Sequence, residues 1–218
     1  MIKVTHISHM GDDLSVVNAA RVSFGKKSKM HCVDHTLGTY VLPDIDIRLI
    51  QYLARHKHMS PFGHAFASFH VKAPMFVARQ LVKHKFLRWN EISRRYVDSD
   101  PEFYWPNTWR GRSEDKKQGS DGVVEGEDIY EYNLACLNTY TRLIDKGVCP
   151  EQARMVLPQS MMTEWYWSGS LDAWSDMCLL RCASDTQAET QEVANQISVK
   201  MHELFPHSWD ALAKRKQQ

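Results

Sequence analysis

The chain has 218 residues, 43% of them hydrophobic, with 27 Lys plus Arg against 26 Asp plus Glu and a formal net charge of +1. A chain of this length can bury roughly 70% of the surface it would expose unfolded, so its core needs no metal or disulfide staple. Near-neutral charge excludes a whole-protein field that would draw in nucleic acid or an anionic membrane, and any anion site must come from a local cluster. The five cysteines, Cys32, Cys136, Cys149, Cys178 and Cys182, are odd in number and form no C-x-x-C, which is the usage expected where thiols stay reduced and no zinc or other metal is held. The opening MIKVTHISHMGDDLS has no apolar run of signal-peptide kind. No stretch approaches the roughly 18 apolar residues of a membrane span, so a cytoplasmic protein without a membrane partner is expected.

Residues 1–9 read as a short strand, and Asp12 or Asp13 is placed to cap a helix carrying Leu14, Val17 and Ala20 on one face. A second helix is predicted from Pro43 to about Arg55, with Ile45, Leu49, Ile50 and Leu53 at helical spacing, ending near the polar turn RHKHMSPFGH. From Ala65 to Ala73 the pattern alternates, with Ala65, Ala67, Phe69, Val71 and Ala73 on one side and Ser68, His70 and Lys72 on the other, which reads as a strand. Pro74 is placed to start a helix at its first position, continuing MFVARQLVKHK. Residues 107–128 are polar and Gly-rich without periodicity and read as a variable loop. A helix then runs from Ile129 through Leu134, Leu137 and Ile144 to Gly147, a residue suited to the position after a helix end, and Pro150 opens a short helix through Ala153 and Val156. A β-like stretch follows Pro158. Two further helices close the chain: Ser170 is a candidate cap for the first, and Val193, Ile197, Met201 and Leu204 stripe the second before Pro206 stops it. Helices and strands without strict βαβ alternation predict an α+β fold in a single domain spanning 1–218. No G-x-G-x-x-G or G-x-x-x-x-G-K-[ST] occurs, so the phosphates of any nucleotide must be held by side chains.

The densest chemical feature is RQLVKHKFLRWNEISRRY, residues 79–96, where Arg79, Lys83, Lys85, Arg88, Arg94 and Arg95 are interleaved with Phe86, Trp89 and Tyr96. Such a cluster suits phosphate. It equally describes a single-strand nucleic-acid groove or a solvated helix face. Order within it narrows the reading, because K-H-K (83–85), then FLRWNEI, then Ser93 resembles the signature of flavin-dependent thymidylate synthases, R-H-R followed by seven residues and Ser. MGDDLSVVNAARVSF (10–24), RHKHMSPFGHAFASFHVKAPMFVARQ (55–80) and EQARMVLP (151–158) also look like that family. The similarity covers most of the chain outside about 26–42 and 107–128.

The resemblance implies a mainly antiparallel sheet flanked by helices and an enzyme that methylates dUMP at C5. Methylenetetrahydrofolate would be the carbon donor, FAD the hydride carrier and NADPH the reductant, with no metal. It implies a homotetramer with shared sites and no nucleic-acid partner. Carried over residue by residue, it assigns Lys83, His84 and Lys85 to the FAD segment, with Ser60 and Ser23 near the flavin. Ser170 and Asp176 lie near positions where the family often has FAD-contacting asparagines, and Asp185 sits where a histidine is common. Gln80, Lys83, Glu91, Ser93, Arg94, Arg95, Arg154 and Arg181 fall at nucleotide-binding positions, Glu91 also lying on the cofactor side. Arg181 matches the arginine set against the pyrimidine, where a permanently protonated guanidinium stabilises negative charge and cannot be the base. His58 aligns with a histidine near the flavin and the folate entrance, as a candidate for a direct role. Both arginines of R-H-R are lysines here, which keeps charge but loses the planar fork, so weaker FAD binding is expected. The cysteines lack the surroundings of a thiolate nucleophile. Two rivals stay open: the same chemistry on another pyrimidine nucleotide such as UMP, or leaving a hydroxymethyl group, and a basic binding surface without catalysis.

Overall fold

In chain order the elements begin with strand β1 (Lys3–Met10), helix α1 (Asp13–Arg21), a hairpin of β2 (His31–Asp34) and β3 (Thr39–Val41), and helix α2 (Asp44–Arg55). Strand β4 (Phe66–Pro74), helix α3 (Met75–Leu81) and strand β5 (Arg88–Glu91) follow, then a second hairpin of β6 (Trp109–Arg112) and β7 (Ser120–Val124). The remainder is helix α4 (Tyr130–Asp145), helix α5 (Pro150–Ala153), strand β8 (Met162–Ser170), and helices α6 (Leu171–Arg181), α7 (Ala188–Leu204) and α8 (Pro206–Ala213). This computed structural model describes residues 1–97, 99–114 and 119–217.

The main sheet has the order β1-β4-β8-β5, and every neighbouring pair is antiparallel. The alternation read at 65–73 is what places β4 at its centre: Ala65, Ala67, Phe69, Val71 and Ala73 are all buried, while Ser68, His70 and Lys72 are only partly so. Opposite Phe69 and Val71 stand Trp167 and Trp165 of β8, both buried. Helix α6 lies on this face through Trp174, whose indole N–H donates to the Ala67 carbonyl at 3.1 Å and whose ring meets Phe69 and Trp167 edge-on at 5.1 and 5.0 Å. A fully buried Phe such as Phe69 contributes about 1.5–3 kcal/mol, and the α+β expectation is met by this helix-on-sheet core. At the sheet edge, Trp89 of β5 stacks on Trp165 with 4.2 Å between centroids. That contact holds the K-H-K to Ser93 stretch against the core.

Helix α1 begins with a reciprocal cap: Asp12 Oδ1 accepts from Ser15 N at 2.8 Å and Ser15 Oγ accepts from Asp12 N at 3.1 Å. The neighbouring Asp13 is buried and accepts from the backbone N–H groups of His207 and Ser208 at 3.0 and 2.9 Å. One aspartate therefore caps its own helix and the next satisfies the first turn of α8.

The structure corrects the sequence reading in several places. Pro74 ends β4 and is the cap of α3, whose first residue is Met75, and α3 stops at Leu81 instead of running to Lys85. The chain has to turn there, through Leu87 N to His84 O at 3.2 Å, for β5 to pair with β8. Residues 107–128 are not a featureless loop but contain hairpin β6–β7, although 115–118 lie outside the described residues. Pro206 stops α7 and also opens α8 as its first residue. Ser170 is the cap residue of α6 but makes no side-chain capping bond, and Ile45, expected on the inner face of α2, is exposed. Hairpin β2–β3 and strand β5 were not read from the sequence at all.

Candidate active site

Helix α6 carries Arg181 in its last turn, and α3 carries Gln80 next to its last residue. Arg181 Nε donates to His84 Nε2 at 3.2 Å, and one of its terminal nitrogens donates to the Gln80 carbonyl at 3.4 Å. A guanidinium can only donate, so His84 Nε2 holds a lone pair and the neutral ring carries its proton on Nδ1. Burial first, and then the charge of Arg181, lower the His84 pKa from 6.5 to about 4, opposed by Asp176. At neutral pH the positive charge of the K-H-K segment therefore resides in Lys83 and Lys85, both exposed. Arg181 is itself lowered by burial without losing its charge, since guanidinium pKa values start above 12.

This pairing has a consequence for stability. His84 binds its proton more readily in the unfolded chain, so between pH 6.5 and about 4 the unfolded state takes up more protons and stability falls as pH drops through that window. Partial exposure limits the cost to roughly 1–2 kcal/mol. Urea midpoints at pH 7 and pH 4.5 should show the fall, and His84→Gln should flatten it; a variant whose midpoint falls as steeply as the parent's would reject this origin.

Gln80 is held at both ends of its amide. Its Nε2 donates to Gln187 Oε1, and its Oε1 accepts from Thr190 Oγ1 at 3.3 Å. Beside it opens a cavity of about 880 Å³, within the range of small-molecule sites. Its walls are Gln80, Arg181 and Glu189 on the helices, Gln187 at the cap of α7, Phe76 and Tyr104 as aromatic surface, and Trp109, Arg110, Gly119 and Ser120 from hairpin β6–β7. It thus offers apolar and aromatic surface with a few convergent polar groups. Asp185 is also on its wall.

The other marked residues form separate groups. Glu91 is fixed by Thr163 Oγ1 at 2.6 Å and by the Trp89 indole N–H at 3.1 Å, so its carboxylate is oriented by the core. Arg95 pairs with Glu151 at 3.5 Å, and Arg154 Nε donates to the Glu151 carbonyl at 3.3 Å, which brings these two arginines to one place. Ser93 Oγ accepts from Arg95 N at 3.3 Å, and Arg94 donates to the Ser99 carbonyl. Arg215 joins Asp176, at 2.5 Å, to the sulfur of Met59, at 3.1 Å, so the 58–60 turn with His58 and Ser60 lies beside the exposed side of α6. The ring of His58 is 6.0 Å from that of Tyr52. Ser23 is exposed after α1, and Ser170 is half-buried at the end of β8.

Of the residues the sequence marked, Gln80, Arg181 and Asp185 line the large cavity, and the remainder are not part of its lining. Sequence reasoning missed Gln187, Glu189, Thr190 and Arg110. A glutamine capping a helix and a glutamate and a threonine in its first turn carry no motif, and only their partners in the fold single them out.

The family model described as thymidylate synthase complementing protein matches residues 5–207. A flavin-dependent thymidylate synthase of Thermus thermophilus is 38% identical over 209 residues, covering 94% of this chain and 73% of that protein. The chain belongs to the flavin-dependent thymidylate synthase family. Another family member, from Thermosipho melanesiensis, is 37% identical over 212 residues, covering 94% of this chain and 87% of its own. Among solved structures, a UMP/dUMP methylase of Streptomyces cacaoi bound with 5-Br dUMP superposes with a TM-score of 0.78 at 28% identity, over 97% of this chain and 94% of that one. The antiparallel sheet with flanking helices is thus the family fold, as the family resemblance implied. Among the described residues, no helix is long and apolar enough to cross a membrane.

Proposed function

We propose that this chain is a cytoplasmic flavin-dependent thymidylate synthase, one domain converting dUMP to dTMP with methylenetetrahydrofolate as carbon donor, FAD as hydride carrier and NADPH as reductant. The observation that carries the reading is Arg181, held by His84 and the Gln80 carbonyl at the wall of a cavity of about 880 Å³. A guanidinium fixed there favours negative charge on a pyrimidine as C5 becomes nucleophilic, and it needs no reorganisation to do so. The Gln80 amide, oriented by Gln187 and Thr190, suits a uracil edge, which presents both donors and acceptors. Ser93, Arg94, Arg95 and Arg154 supply hydroxyl and guanidinium donors for a phosphate, with Glu91 oriented nearby in sequence.

The donor set also fits a flavin dinucleotide. Lys83 and Lys85 are exposed cations flanking a neutral His84, Ser60 and Ser23 are exposed hydroxyls, and His58 and Asp176 are exposed with Ser170 half-buried. When bound, the flavin supplies the hydride that completes the methyl group; the protein's share is orientation and electrostatics. Because the candidate residues sit in separate groups in one chain, a homotetramer whose copies complete each other's sites accommodates them best.

An absorbance spectrum of the purified protein with added FAD, followed by anaerobic NADPH reduction, tests the reading. The flavin band should bleach faster with dUMP present. Failure to bind flavin at high FAD concentration would overturn the proposal. A second reading is favoured by the superposition on a methylase named for UMP as well as dUMP: this chain accepts both, and comparing their turnover decides it.

A further inference from the structure

Hairpin β6–β7 touches the body of the protein on the wall of the large cavity. Arg110 Nη2 donates to both carboxylate oxygens of Glu189 at 2.7 Å, while its Nε donates to Ser120 Oγ on the facing strand at 2.9 Å. Just before β7, Gly119 has φ +107 and lies so near the loop between α6 and α7 that an added Cβ would stand 3.4 Å from the Asp185 carbonyl. The Glu189 side chain is 5% exposed and that of Arg110 29%. Tyr104 adds a second donor to Glu189, its hydroxyl lying 3.4 Å from Oε1.

A largely buried ion pair contributes little net stability compared with apolar side chains of the same volume. What this one supplies is position. Glu189 belongs to the first turn of α7, the turn that also holds Thr190 and follows Gln187. Thr190 and Gln187 are the two groups that orient the Gln80 amide, and the Gln80 carbonyl accepts from Arg181. A chain of direct contacts therefore runs from the hairpin through α7 to the arginine.

We infer that Arg110 is a positioning residue: by gripping Glu189 it fixes the first turn of α7, and with it Gln80 and Arg181, in the arrangement that receives the pyrimidine nucleotide. The inference rests on the functional reading above. It makes hairpin β6–β7 a working wall of the nucleotide compartment.

Two variants separate this role from simple structural support. Arg110→Gln with Glu189→Gln removes both charges while keeping hydrogen-bonding groups of similar size, and Arg110→Lys keeps the charge without the two-pronged fork. dUMP affinity is read by tryptophan fluorescence, and KM and kcat from dTMP formation, alongside the flavin spectrum. The double variant should raise Kd and KM for dUMP by roughly 10- to 100-fold with the flavin spectrum unaltered, and Arg110→Lys should fall between it and the parent. A folded double variant with the parent's Kd and KM overturns the inference. If the double variant does not fold, Arg110→Lys decides alone, and parental values there overturn it too. A parent protein that binds no dUMP would sink the functional reading and the inference together, whereas binding by the parent with unaltered variants sinks the inference only.

Discussion

Arg181→Ala is expected to lower kcat for dTMP formation by roughly 10²–10³-fold, the usual cost of removing one preorganised donor from a developing charge. The guanidinium is held at two points, His84 Nε2 and the Gln80 carbonyl, so its direction is set before any substrate arrives. Arg181→Lys restores a positive charge, but a single ammonium cannot reproduce both bonds from the planar fork, and it should recover only part of the loss. The same substitution has a readout that needs no turnover. Because the Arg181 charge is the second cause, after burial, of the low His84 pKa, its removal should raise that pKa, as followed by NMR of the ring protons. A kcat within threefold of the parent in Arg181→Ala would remove the residue from the role given to it.

Trp174→Ala should destabilise the protein by about 3–5 kcal/mol. The side chain is fully buried, it fills the space between Phe69 and Trp167, and its indole N–H satisfies the Ala67 carbonyl, which the variant leaves without that donor. For a chain of this size that loss corresponds to a Tm lower by roughly 6–20 °C. Trp174→Phe refills most of the volume and should cost less than half as much. The substitution also reaches the site, because Trp174 stands two turns before Arg181 on α6 and anchors that helix to the sheet. Calorimetry or urea unfolding measures the effect; a Trp174→Ala midpoint unchanged from the parent would mean that the aromatic cluster does not hold α6 in place.

What the sequence determined by itself is the part of the fold written in local periods and caps. The alternation at 65–73 is a strand buried on one face because every second residue is small or apolar, and period two admits no other placement. Asp12 and Asp13 announce the start of α1, with Asp12 becoming the cap, and Gly147, at φ +81, ends α4 where its missing Cβ permits the left-handed turn. The K-H-K to Ser93 spacing likewise carries the family resemblance along one stretch of chain. The tertiary structure decided what depends on distant partners. Strand β5 has only four residues and is a strand because Trp89 finds Trp165 across the sheet. Hairpin β6–β7 has almost no buried face to give it a period, and its place is set by Arg110 meeting Glu189, a residue 79 positions away. Pro206 reads as a stop in one dimension. In the fold it also begins α8, because the Asp13 carboxylate, 194 residues earlier, accepts from the first N–H groups of that helix. A local pattern reports where apolar side chains face; which buried charge meets which donor is fixed only when the whole chain has closed around them.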